Sequence, residues 1–409
     1  MLDRENIEKI TSRTVFLFLC IFALVLPVSI SASQIALGTT VLFWLILVLV
    51  RRKNPIHSSP ILWSFVIFAV WGLVSAVFSA DPGYSAFRWC KNLWFASIFL
   101  VVTDTVKNER KARILLTLTI ATAGIAGLYG VFQRVAQLDF FRHTTYISDW
   151  GTRASGFFGS PLSFGYQQMQ MLILSFVLAI YAAKSKMKRP VIWYCLATIC
   201  LAVGLALSGS RGAWSGLIVG VFTLGFCVSR RLGVRIVTAI IAAVVIIGVI
   251  APNSYVVYRA RTLLKFRQDN SSYQRLLIWK ATLDMAKDYP VTGVGWGVYS
   301  KVYPEYCTPE ESIYMRTTAH NNYLNSLAET GWPGLATLMF FLCMPVIVGL
   351  WKTPGTSSIS VRLICIGISS AIVALMIAGI TQTWLFDAEV AMMFYFLIGV
   401  MDACRRMPT

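Results

Sequence analysis

Thr317-Thr318-Ala319-His320-Asn321-Asn322-Tyr323-Leu324-Asn325-Ser326-Leu327-Ala328-Glu329-Thr330-Gly331-Trp332-Pro333-Gly334 is the stretch on which the reading of this chain turns. One histidine, three asparagines and a glutamate crowd into it, and an apolar run follows at once from Pro333 to Leu350. The chain has three histidines in 409 residues, and His320 alone sits in a dense polar cluster. A polar knot joined to an apolar run is what a site at the mouth of a membrane-crossing helix looks like.

The rest of the sequence supplies the membrane. It is 57% hydrophobic and 13% charged, with a mean hydropathy of +0.67. A soluble domain carries about a quarter charged residues. Apolar runs of roughly 17–25 residues are long enough to cross a bilayer. Twelve runs read as spans: 14–31, 34–50, 61–79, 89–104, 114–133, 161–183, 191–208, 212–229, 236–251, 333–350, 363–381 and 388–403. The expected fold is therefore an all-α polytopic membrane protein of about 12 transmembrane helices. It forms one membrane domain over 1–409, with a long helical loop, 252–319, between the ninth and tenth spans. The first apolar run continues from Val15 without a small-residue cleavage site, so no cleavable signal peptide is expected.

A net charge of +18 raises the question of nucleic acid. Topology answers it. With the amino terminus inside and the spans alternating, 21 Lys and Arg fall in short inner segments and 15 outside. Nine of the outer ones lie in 252–319, and long translocated segments escape the positive-inside rule. Both termini are then cytoplasmic, and no nucleic-acid partner is needed. The nine cysteines form no CxxC and no finger spacing, so neither a disulfide framework nor a zinc site is expected.

Three outer segments carry the candidate chemistry. In 134–160, Arg153-Ala154-Ser155-Gly156 opens a Gly- and Ser-rich turn into the next span. Between two spans lies Ser208-Gly209-Ser210-Arg211-Gly212. An arginine at that depth snorkels to headgroups or serves an anion. Glycines beside it leave room for a ligand, and Gly212 onward opens a helix whose N-terminus favours phosphate. In 252–319, Tyr258 to Arg267 is basic and partly amphipathic, as a segment lying on lipid would be. Asn270-Ser271-Ser272 is an N-cap signal, and Arg275, Trp279, Leu283 and Ala286 then recur on one helical face up to Pro290. Arg275 should thus point inward, to a loop carboxylate such as Asp269 or to a ligand phosphate. The following Gly293-Val294-Gly295-Trp296-Gly297 reads as a flexible turn and lacks a P-loop lysine.

His320 follows the capping residues Thr317 and Thr318 at helical spacing from Leu324, Leu327 and Gly331, which puts it on the buried side of a short helix. Gly331 and Pro333 close that helix. With an ordinary pKa near 6.5, such a histidine can accept a proton from a hydroxyl. Asn321, Asn322 and Asn325 are suited to binding sugar hydroxyls or orienting the ring, and Glu329 to tying the helix to a neighbour. His57 and His143 lie in an inner loop and in the first outer segment and read as bystanders.

Taken in order, Ser208-Gly-Ser-Arg-Gly212, Arg275 with Trp279, the Pro290…Gly293-Val-Gly295 turn and His320-Asn-Asn…Glu329-Thr-Gly331 resemble the O-antigen ligase family, within the wider group of O-antigen ligases and polymerases. The resemblance covers the whole topology. It implies a type C glycosyltransferase-like fold in the bacterial inner membrane with a periplasmic active site, and no metal or other cofactor. The implied donor is an undecaprenyl-diphosphate-linked glycan, and a ligase's acceptor is a sugar hydroxyl of lipid A–core. By the same resemblance Arg211, Arg275 and, more weakly, Arg153 would hold the donor diphosphate, and His320 would act as base or orient the acceptor. The local signatures do not separate ligase from polymerase. A polysaccharide or lipid transporter is the alternative of another class. Transporters keep ionisable groups near the midplane, whereas here they cluster at the outer ends of spans, with Lys91 the exception.

Overall fold

The computed structural model describes residues 4–142, 146–148, 151–250, 257, 270–307, 318–351 and 358–407. Among the described residues the regular structure is helical apart from one short hairpin. The helices are α1 (Arg4–Val25), α2 (Ile30–Arg51), α3 (Pro60–Val77), α4 (Pro82–Thr105), α5 (Glu109–Ala136), α6 (Pro161–Lys184), α7 (Lys188–Ser208), α8 (Arg211–Val228) and α9 (Arg230–Ile250). They continue with α10 (Asn270–Asp288), α11 (Asn322–Trp351), α12 (Ile359–Ala378) and α13 (Ala388–Arg405). Each of the twelve apolar runs overlaps one of these helices, the first running past the end of α1 at Val25 into the start of α2. Among the described residues, eight helices are long and apolar enough to cross a membrane: α2, α3, α5, α6, α7, α8, α11 and α12. This is a multi-pass membrane protein.

Local chemistry fixes where helices begin. Ser59, Asp81 and Ser160 each accept a backbone N–H of the first turn, and each is followed by a proline at the first helical position. There the missing N–H costs nothing. Helices α6 and α12 are largely buried, and α13 is buried along almost its whole length. Large apolar side chains such as Ile35, Leu49 and Ile199 remain exposed around them and form the lipid-facing surface.

Hydrogen bonds sort the connections into two ends of the bundle. At one end buried Asp104 accepts from Trp44 Nε1 at 2.9 Å and Arg51 Nη1 at 3.3 Å, and Arg113 Nη1 donates to Ser360 Oγ. At the same end Arg406 Nη2 donates to the Thr103 carbonyl. The opposite end carries Lys301 Nζ on Asp81 at 2.6 Å, Ser75 Oγ on the Glu329 carbonyl and Asn322 N on the Gly379 carbonyl. Residues of the expected inner segments 51–57, 104–113, 351–362 and 404–409 meet at the first end. The candidate residues all fall at the second.

Three expectations need correction or extension. The all-α reading missed an antiparallel hairpin, Tyr146–Ser148 against Gly151–Arg153, with Ile147 opposite Thr152. The Gly293–Gly297 turn is not loose. Gly293, Gly295 and Gly297 adopt φ of 68°, 115° and 73° and lie buried against Glu329, Ser79 and Arg88. Within α10, Leu283 is 43% exposed, and the inward stripe runs instead through Ser272, Arg275, Ile278, Thr282 and Met285. The expectations for Tyr258 to Arg267, Asp269, His143 and Thr317 lie outside the described residues.

Candidate active site

Arg153, Arg211, Arg275 and His320 line one cavity of about 180 Å³, together with Tyr166, Gly209, Gly212, Gln274 and Thr381. Four parts of the chain supply the four cationic or ionisable groups. Each is placed by its own local structure.

Arg211 is the first residue of α8. Ser208 ends α7, Gly209 turns the chain at φ 60°, and the next helix starts two residues later. The turn aims the N-terminus of α8 at the cavity, where the helix dipole favours an anion. Close packing holds it there. A Cβ on Gly216 would stand 2.4 Å from the Ala374 carbonyl of α12, and one on Gly220 2.8 Å from that of Ser370. Small residues at every fourth position let two membrane helices approach. The Arg211 side chain is buried, and its Nη2 donates to Ser272 Oγ of α10 at 3.3 Å. It therefore does not snorkel outward.

Arg275 sits one turn after Ser272 on the inward stripe of α10, as the periodicity predicts. Arg153 enters from the hairpin. Its Nε and Nη2 donate to the Ser208 carbonyl at 3.0 and 2.9 Å, which fixes the plane of the guanidinium against the last turn of α7. No carboxylate is among the described residues that line the cavity. Its electrostatic character is cationic.

His320 differs from expectation. It lies ahead of α11, not within it, in the left-handed region at φ 49°. The asparagines around it explain how this conformation is held. Asn321 Oδ1 accepts from Tyr323 N at 2.9 Å and Leu324 N at 3.1 Å and so caps α11. Asn325 Oδ1 reaches back to Ala319 N at 3.0 Å, while Trp279 Nε1 of α10 donates to the Ala319 carbonyl at 3.1 Å. Asn322 N donates to the Gly379 carbonyl at 2.7 Å, and its Oδ1 accepts from Leu385 N. All three asparagines are buried, and none is among the residues lining the cavity. Their oxygens clamp the backbone on both sides of His320. A left-handed residue costs of order 1 kcal/mol or more and persists where its surroundings over-determine it.

Glu329 does tie its helix to a neighbour. Its Oε1 accepts from Tyr299 N at 3.3 Å, and its carbonyl accepts from Ser75 Oγ and Gly295 N. Beyond it Gly331, at φ 70°, breaks α11 into two helices where the backbone meets Pro290 and Val291.

Two residues of the site were missed. His320 Nδ1 lies 2.8 Å from Gln382 Oε1, in the loop joining α12 to α13. The Gln382 side chain in turn bonds to the Asp387 carboxylate, which also accepts from Ser163 Oγ at 3.2 Å. An amide whose nitrogen donates to a carboxylate presents its oxygen to the imidazole. In the tautomer that carries the proton on Nδ1 this contact is a hydrogen bond, and Nε2 is then the acceptor of the neutral ring. Burial, and next the neighbouring Glu389 carboxyl, push Asp387 up to about 7. The signal available in the sequence was a Gln and an Asp within a short outer loop between two apolar runs, with Glu389 just inside the second.

Residues 196–339 match the family model described as O-antigen ligase. The match contains Arg211, Arg275 and His320, while Arg153, Gln382 and Asp387 lie outside it. An uncharacterized protein of Haemophilus influenzae is 22% identical over 383 residues, covering 88% of this chain and 90% of that one.

Proposed function

We propose that this multi-pass membrane protein, which carries the O-antigen ligase domain over residues 196–339, is a glycan ligase. In this reading it takes a glycan from undecaprenyl diphosphate and joins it to a sugar hydroxyl of lipid A–core. The cavity opens to the periplasm, both termini are cytoplasmic, and the inner end of the bundle carries the short basic loops. Glycan transfer by this route needs no metal. The observation that carries the proposal is the gathering of three arginines, a helix N-terminus and a histidine around one cavity.

The chemistry follows from that set. The donor diphosphate sits among Arg153, Arg211, Arg275 and the first N–H groups of α8. His320 Nε2 accepts the proton of the acceptor hydroxyl as its oxygen attacks the anomeric carbon. The bond from that carbon to the phosphate oxygen breaks, and undecaprenyl diphosphate leaves with the electron pair. Fixed cations stabilise the charge that develops on the leaving phosphate, which is where preorganised electrostatics count most. Attack opposite the diphosphate inverts the anomeric centre. After transfer the imidazolium is held through Gln382 and Asp387. The asparagines act through backbone placement of His320 rather than by touching sugar.

The test is incubation of the purified protein with defined lipid-linked glycan and lipid A–core, read by product mass. Ligation adds the glycan mass to lipid A–core. Lengthening of the lipid-linked glycan instead would assign a polymerase. Movement of labelled lipid across vesicles without any mass change would assign a transporter.

A further inference from the structure

At the end of the bundle away from the cationic cavity, α5, α6 and α7 enclose a second, largely apolar cavity of about 380 Å³. Ile114, Leu118, Met187 and Pro190 supply apolar walls, and Arg110 and Arg113 stand at one end. Two polar groups within it are already satisfied: Thr117 Oγ1 and Tyr194 Oη share a hydrogen bond of 2.8 Å. What remains is an apolar slot with two guanidinium groups in its lining.

The charges at its mouth are unbalanced. Arg113 is paired with Glu109 at 3.1 Å and lies over the Tyr181 ring at 5.1 Å, so it is held in place. Arg110 is exposed and has no ion pair among the described residues. The end of α6, the turn after it and the first residues of α7, which supply Met187 and Pro190, also carry exposed Lys184, Lys186, Lys188 and Arg189. None of these four has an ion-pair partner among the described residues. Five cations without an ion pair among the described residues are therefore carried by the same two segments that line the slot, the start of α5 and the α6–α7 junction.

We infer that this slot binds one anionic glycerophospholipid. Its phosphate is held by Arg110 and Arg113 with the α6–α7 turn, and one acyl chain lies along Ile114, Thr117 and Leu118. Basic pockets between membrane helices select anionic headgroups in this way. A zwitterionic lipid fits the apolar part equally well but brings its own cation to the crowded mouth. The inference does not depend on the glycan-transfer reading, because the slot shares no residue with that site.

The test is native mass spectrometry of the full-length protein released from nanodiscs of mixed phosphatidylglycerol and phosphatidylethanolamine. The wild type should retain phosphatidylglycerol in preference. Arg110→Gln should weaken that retention about fivefold, the worth of one basic residue at a lipid surface. Leu118→Trp, which fills the slot without touching charge, should abolish it while leaving the far-ultraviolet circular dichroism and the melting temperature near wild type. Glycerol phosphate at millimolar concentration should not displace the lipid, since it brings no acyl chain. Equal retention of both lipids by the wild type overturns the inference. So does undiminished phosphatidylglycerol retention in a folded Leu118→Trp protein, or displacement by glycerol phosphate alone.

Discussion

His320 and Gln382 are joined by a 2.8 Å hydrogen bond between Nδ1 and Oε1, across 62 residues of sequence. In the Nδ1-protonated tautomer this bond fixes the ring from behind, and Nε2 is the acceptor. Replacing Gln382 by Leu keeps the bulk and removes the bond. Turnover should then fall by about 10²-fold, within the range that a positioned acid or base contributes, while donor affinity stays unchanged. Steady-state kinetics at several donor concentrations would separate the two. Recovery of most of the rate in Gln382→Glu would support a role in orienting the ring, since Oε1 is retained.

The arginines should behave differently. A hydrogen bond to a charged group is worth about 1.5–3 kcal/mol, or about 10- to 150-fold in donor Kd. Arg211→Ala and Arg275→Ala should each lose that much affinity. Arg275→Lys keeps the charge but loses the planar fork and should recover only part of it. Ser272→Ala removes the 3.3 Å acceptor of Arg211 and should cost less than Arg211→Ala. Binding of the lipid-linked donor to purified variants checks the order.

Asn321→Ala and Asn325→Ala test the backbone clamp. Loss of the Asn321 cap should cost about 1 kcal/mol of stability. Both variants should slow transfer without changing acceptor KM, because neither side chain is among those lining the cavity. A large rise in acceptor KM with unchanged stability would mean that these amides contact sugar after all.

Asp387 gives the pH dependence a sign. Its folded value is raised to about 7 from an ordinary 3.8. Between those values the unfolded chain has lost the proton and the folded chain keeps it, so stability falls as pH rises. The contribution is fully present below about 4 and gone above about 7. Asp387→Asn should flatten this part of the melting-temperature profile. Activity should move the other way in the wild type, rising through pH 7 as the carboxylate forms to accept from Gln382. Melting and rate profiles from pH 5 to 8.5 would show both.

The orientation of the bundle is checked by reporter fusions. Those after residues 110 and 186 should read cytoplasmic, and one after residue 300 periplasmic. A cytoplasmic reading for the last would separate the cavity from any periplasmic donor.

Much of this was legible in the sequence, for a physical reason. Crossing a membrane demands long apolar runs, so each run announces a helix, and each of the twelve runs overlaps one. Arginine in such a setting is costly enough to be conspicuous, and Arg153, Arg211, Arg275 and His320 do meet at one cavity. The partners of these groups were less legible. An asparagine looks the same in sequence whether its amide meets a sugar or a backbone N–H. Gln382 carries no charge to draw notice, and its role exists only because the α12–α13 loop folds against His320. The left-handed turn at His320 likewise arises from bonds to α10 and to Gly379, distant in the chain, and no local periodicity could report it.

The central claim is that His320 takes the proton of the attacking hydroxyl beside a donor held by arginines. Single-turnover transfer by His320→Ala at saturating lipid-linked glycan tests it most directly. The account predicts transfer to lipid A–core slowed by about 10²- to 10⁴-fold, with donor binding close to wild type. Transfer at a near wild-type rate by the folded variant would contradict it.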